Sequence, residues 1–130
     1  MNILDRFMEM LPCTPKLWGE ERLITNSDKY CAKFLKVNPG YACSLHFHKI
    51  KQETFRVISG IVELELQSGI ELKDNKITMN VGDEELIRPW MSHRFSTKTG
   101  AIILEISTHH EDSDSYRIQE SKKIDDPKSS

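Results

Sequence analysis

The chain has 130 residues, with 18 Lys plus Arg against 20 Asp plus Glu and a formal net charge of −2. That length suits one domain with a core of its own, and the charge balance excludes a nucleic-acid or membrane partner held by bulk electrostatics. No apolar run approaches the roughly 20 residues that span a bilayer, and the first residues lack the unbroken apolar core of a secretory signal. Cys13, Cys31 and Cys43 form no C-x-x-C pair and leave one thiol over in any disulfide scheme. These features point to a reduced, cytoplasmic protein.

Leu4, Phe7, Met8 and Leu11 fall at i, i+3, i+4 and i+7, which predicts a short amphipathic helix. Pro12 and Pro15 stop it. Residues 1–16 are therefore expected to form an N-terminal arm or short helix, packed on the domain edge or reaching a partner subunit. From residue 17 to 118 the pattern is that of strands. Residues 29–37 alternate loosely, residues 61–66 alternate cleanly with Val62, Leu64 and Leu66 on one face, and residues 101–106 read as a more fully buried strand. Turn signals separate them at Asn38-Pro39-Gly40, Ser59-Gly60, Ser68-Gly69, Lys73-Asp74-Asn75-Lys76 and Val81-Gly82-Asp83. Short strands at this spacing predict an all-β sandwich or barrel. Residues 119–130 are polar and are expected as a fraying tail.

His46 and His48 stand two apart, so on a strand both imidazoles project to one face and Phe47 to the other. Glu53 follows after Lys49-Ile50-Lys51-Gln52, a connection long enough for a hairpin return that sets its carboxylate against the imidazoles from the neighbouring strand. Two His and one carboxylate suit Fe, Mn, Ni, Co or Zn, and His93, beyond Pro89, offers a fourth ligand. Cys43 is expected on the opposite face, Lys51 in solvent or, from its loop between ligands, at the site mouth, and His109 and His110 in solvated or capping roles. Trp18 and Trp90 are candidates for packing or for stacking against the ring of a bound ligand.

Gly40, His46, His48, Glu53 and Gly60 stand at the spacing G-x5-H-x-H-x4-E-x6-G, which resembles the first motif of the cupin superfamily. Gly82 and His93 keep the overall span of the second motif, while Pro89 is displaced by one, Trp90 occupies the glycine position and Thr97 the final asparagine. The resemblance implies a jelly-roll barrel, a double-stranded β-helix, over residues 17–118. It implies His46, His48, Glu53 and His93 as ligands of a divalent metal ion (Mn, Zn, Fe, Co or Ni). Leu17-Trp18-Gly19, His93-Arg94-Phe95 and the stretch from Leu104-Glu105-Ile106 to Asp114 and Arg117 resemble segments of the mannose-6-phosphate isomerase group of small cupins.

That resemblance implies a sugar or sugar-phosphate isomerase or epimerase, working through a divalent metal and an enediol. Glu105 is then the candidate general base, and Arg117 the group that binds an anion or steadies an oxyanion, unless it is an ion-pair partner of Asp112 or Asp114. Arg88 and Glu63 line the barrel in one of the two possible registers. Cupins host many chemistries, so a non-catalytic sugar- or metabolite-binding cupin and an iron-dependent dioxygenase stand as alternatives. A homodimer is expected, since an apolar arm and exposed edge strands gain from pairing.

Overall fold

A computed structural model describes residues 1–67 and 75–124. Helix α1 (Ile3–Glu9) comes first. Strands β1 (Cys13–Lys16), β2 (Gly19–Asn26), β3 (Cys31–Val37), β4 (Tyr41–Ala42), β5 (Leu45–Phe47) and β6 (Glu53–Gly60) follow. Next are β7 (Val62–Gln67), β8 (Asn75–Met79), β9 (Glu84–Ile87), β10 (Ser92–Thr97) and β11 (Ala101–Ser107). A 3-10 turn at Asp112–Asp114 leads to β12 (Tyr116–Gln119) and β13 (Lys122–Lys123). One antiparallel sheet has the order β1-β2-β3-β11-β6-β9. The other runs β12-β5-β10-β4-β13, with β7 on the second side of β10 and β8 paired to β7. Two such sheets packed face to face form the expected jelly roll.

The helix forms where its spacing predicts. The Asn2 side chain accepts the Asp5 N–H at 2.8 Å and caps it. Met8 is buried, and Phe7 meets Phe34 edge-on at 6.2 Å. Both proposed domain edges carry strands. β1 pairs with β2 along Cys13–Lys16, and Pro15 is tolerated because this is an edge strand. At the other end Gln119 closes β12, and Lys122–Lys123 pair with Tyr41–Ala42. These exposed polar residues contribute backbone hydrogen bonds, which composition does not forbid. Of the turn signals, Ser68-Gly69 and Lys73-Asp74 lie outside the described residues, and Asn75-Lys76 open β8 instead of turning.

Four strands carry inward residues that change character along their length. β6 presents Glu53, Phe55 and Val57. β11 presents Ser107, Glu105, Ile103 and Ala101. β3 presents Lys33, Leu35 and Val37, and β10 presents His93, Phe95 and Thr97. Register sets Glu105 opposite Lys33 on one side and Phe55 on the other, and Ile103 opposite both Leu35 and Val57. The apolar end holds the core with Val62, Leu64 and Met79. Phe55, Phe95 and Trp18 form the boundary, with Trp18 edge-on to Phe95 at 5.0 Å.

Before β10 the chain turns at Arg88-Pro89-Trp90-Met91, where the Met91 N–H donates to Arg88 O at 3.2 Å. Trp90 has φ +70, so the glycine-like backbone of the second motif survives with a bulky residue in place. Its exposed ring stacks on Phe47 at 5.6 Å, on the outer face. Arg88 is exposed, and Glu63 accepts from Thr78 on the outer face, so neither lines the barrel. Among the described residues no helix is long and apolar enough to cross a membrane. All three cysteines are free.

Candidate metal centre and its cavity

His93 of β10 pairs directly with His46 of β5, and His48 follows at the end of that strand. The ring centroids lie 4.3 Å apart for His46 and His93, 5.1 Å for His46 and His48, and 5.5 Å for His48 and His93. One ring nitrogen from each lies within 4.8 Å of the others. Glu53 arrives from the facing sheet, not from a hairpin neighbour as the spacing suggested: β5 and β6 belong to different sheets. Its Oε1 is 3.0 Å from His93 Nε2, and its Oε2 is 3.4 Å from His48 Nε2.

Each imidazole is oriented from behind by a main-chain carbonyl. His46 Nδ1 donates to Ser44 O at 2.8 Å, His48 Nδ1 to Asp114 O at 2.9 Å and His93 Nδ1 to Met91 O at 3.0 Å. A carbonyl only accepts, so the proton sits on Nδ1 and a neutral ring turns its Nε2 lone pair inward. His48 Nε2 and His93 Nε2 are buried without a hydrogen bond, while Glu53 Oε2 has Lys51 Nζ at 3.1 Å. Unsatisfied polar atoms of this kind are rare in folded proteins and ask for a partner. Imidazole and carboxylate donors suit a divalent transition metal, and the three-histidine cluster is compatible with such a site.

Burial lowers the pKa of His46 to about 3, with the charge of His93 acting the same way. Burial likewise lowers His48 to about 4, against the opposing pull of Glu53. Burial works to raise Glu53, but His93, Lys51 and His48 outweigh it and hold the carboxyl below its usual range. His93 is held above its usual value by Glu53, despite burial.

A cavity of about 820 Å³ opens beside these rings, walled by His46, His48, Lys51, Lys33 and Glu105, with Phe55 and Phe95 also in contact. Glu105 is buried and faces inward, opposite to Ile102, Leu104 and Ile106 as alternation requires. Its pKa is raised by burial and then by the Glu53 charge, against Lys51 and Lys33. Lys51 is not solvated: it is 3% exposed, with Nζ 3.1 Å from Glu53 Oε2 and 3.3 Å from Glu105 Oε2. It lies in the connection before β6, where its ion pairs with the two carboxylates hold the side chain inward. Lys51 Nζ also lies 3.1 Å from His110 Nδ1, and His110 Nε2 lies 2.9 Å from Asp112 Oδ1. His109 stays apart, with Nδ1 bonded to Ser27 O and Nε2 3.3 Å from Glu111.

Arg117 reaches the cavity rim, but it pairs with Glu120 at 2.9 Å and not with Asp112 or Asp114. Trp18 is buried against the cavity, whereas Trp90 lies outside it. Cys43 faces the interior, contrary to simple alternation, because Cys43-Ser44 interrupts the strand between β4 and β5. Burial pushes its thiol up to about 12, which leaves it inert. The Asp114 carboxylate, a candidate partner of Arg117, instead accepts from the loop Lys49–Lys51.

Residues 9–120 match the family model described as mannose-6-phosphate isomerase C-terminal. A D-lyxose/D-mannose isomerase of Thermosediminibacter oceani is 33% identical over 111 residues, covering 67% of this chain. The chain spans 60% of the length of that relative. Among solved structures, the capsular polysaccharide assembling protein CapF of Staphylococcus aureus superposes with a TM-score of 0.76 at 16% identity, over 84% of this chain and 32% of that one. An oxalate decarboxylase of Lactobacillus farciminis, in a formate complex, gives 0.73 at 18% identity, over 85% and 35%. At these identities the two structures share the cupin fold and nothing finer.

Proposed function

The chain belongs to the mannose-6-phosphate isomerase C-terminal family of cupins, and on that footing we propose that it is a metal-dependent aldose–ketose isomerase acting on an uncharged aldose. The observation that carries the reading is the meeting, in one cavity, of a ligand-like cluster and a second buried carboxylate with a different environment. His46, His48, His93 and Glu53 are the proposed ligands. A divalent ion held there would supply Lewis-acid polarisation of the sugar carbonyl. Its identity among Mn, Zn, Fe, Co and Ni is open to direct assay.

Glu105 is the proposed base. Its carboxylate takes a proton from the carbon beside the carbonyl and returns it to the neighbouring carbon. A carboxyl raised by burial captures a carbon-bound proton better than an ordinary one. Lys51 Nζ, 3.3 Å from Glu105 Oε2, holds that carboxylate in place. Phe55, Phe95 and Trp18 shield the inner side of the cavity from water.

The charges of the wall favour a free sugar over a sugar phosphate. Lys33 is 3.4 Å from Glu21, Lys51 is 3.1 Å from Glu53, and Arg117 is 2.9 Å from Glu120. A phosphate at any of these three would have to displace a carboxylate already in place. The name of the Thermosediminibacter relative points the same way, towards mannose or lyxose. The test is incubation of metal-reconstituted protein with D-mannose, D-lyxose and mannose 6-phosphate in heavy water. Ketose formation with deuterium at C1, and deuterium at C2 of the recovered aldose, is expected from the free sugars. Metal bound without exchange from any sugar would favour a binding module, and oxygen uptake with ferrous iron a dioxygenase.

A further inference from the structure

We propose that Asp114 is the positioning residue of the candidate metal centre, fixing the tautomer of His48 and the course of the loop that carries Lys51. The inference rests on the metal-site reading above. The loop 49–52 joins His48 to Glu53, two proposed ligands on facing sheets, so any freedom in it moves one ligand against the other. Asp114 removes that freedom. Its Oδ1 accepts the Lys49 N–H at 2.9 Å, both oxygens accept the Ile50 N–H at 3.2 Å, and its Oδ2 accepts the Lys51 N–H at 2.9 Å. Its own main-chain carbonyl accepts from His48 Nδ1 at 2.9 Å. One residue, 8% exposed and set by the 3-10 turn, thus holds three successive amides and the imidazole before them.

The chemistry explains why a carboxylate stands here. Three converging N–H groups need an acceptor with several lone pairs and no proton of its own, which an ionised carboxylate supplies. An amide side chain would present an NH₂ to at least one of those donors. The carbonyl contact keeps the His48 proton on Nδ1 and leaves Nε2 bare towards Glu53. Outer contacts of this kind orient metal-binding histidines and tune their affinity. Asp114 touches neither the proposed ion nor the sugar; it acts through His48 and Lys51.

The experiment compares the full chain with Asp114→Ala and Asp114→Asn variants by two readouts. The first is the tautomer of His48 in the metal-free protein, from imidazole ¹⁵N shifts. The second is affinity for Co²⁺ alone. Wild type is expected to show a single Nδ1–H tautomer. Asp114→Ala is expected to mix tautomers and weaken Co²⁺ binding about 10–100-fold, with Asp114→Asn between them. Should the Ala variant fail to fold, the Asn variant carries the comparison. An unchanged tautomer with unchanged Co²⁺ affinity, even at a lowered melting temperature, would make Asp114 a structural cap and overturn the inference. Wild-type protein that takes up no Co²⁺ would instead contradict the metal reading, while the tautomer readout still judges Asp114.

Discussion

Strands β3, β6, β10 and β11 cross the barrel interior from end to end, and the two ends obey different rules. At one end Val37, Val57 and Ile103, joined by Leu64 of β7, are at most 2% exposed and belong to the apolar core. Burial there stabilises at roughly 25 cal/mol per Å². At the other end Lys33, Lys51, Glu53, Glu105 and His93 are also buried, and each charge removed from water carries a desolvation cost that pairing only partly offsets. A barrel built for stability alone would continue the apolar pattern. The polar end is where the proposed chemistry belongs, since perturbed ionisable groups gathered beside a cavity are functional-site candidates.

The contrast is sharpened first by exchanging the chemistry without the shape. Glu105→Gln should lower isomerisation, and sugar-proton exchange, by about 10²–10⁴-fold while the melting temperature changes little. A retained rate would remove Glu105 from the reaction. The mirror experiment is Leu64→Ala at the apolar end. Cavity creation there should cost about 2–5 kcal/mol in chemical denaturation and leave metal content intact.

A third test uses acid. His46 and His48 are lowered to about 3 and about 4, against an unfolded value of about 6.5. Below about pH 6.5 the unfolded chain therefore binds more protons at these two sites than the folded one, and stability falls with pH until the folded values are reached. His93, raised, works in the opposite sense, but it is one against two. Thermal melts of metal-free protein from pH 7 to pH 4 should show the decline, and a His46→Gln/His48→Gln variant should show a shallower one. The smallest effect is at the rim. Arg117→Ala, losing an exposed pair with Glu120, should cost under about 1 kcal/mol and leave the preference for free over phosphorylated sugar unchanged. A shift in that preference would make Arg117 the anion-binding group.

What could be read from the sequence follows from how local the physics is. The inward pairing of Val62, Leu64 and Leu66, the shared face of His46 and His48, and the inward turn of Glu105 all depend on a two-residue period. Lys51 lies in the connection before β6, where no strand period applies and a lone lysine is ordinarily solvated; the paired carboxylates explain its burial. Cys43 was misplaced because the period fails where β4 and β5 break. The facing-sheet origin of Glu53 and the grip of Asp114 on residues 63 to 65 positions earlier are long-range facts that no local pattern encodes. Arg117 found Glu120 three residues away instead of the acids before it, a choice among exposed carboxylates that energetics barely distinguishes.

The central claim is that the polar end holds a divalent ion on His46, His48, His93 and Glu53. Elemental mass spectrometry of the purified, untagged protein, beside a His46→Ala/His48→Ala variant, tests it most directly. About one transition-metal ion per chain, lost in the variant, is the predicted result. No metal in the wild type, even after reconstitution, would contradict it.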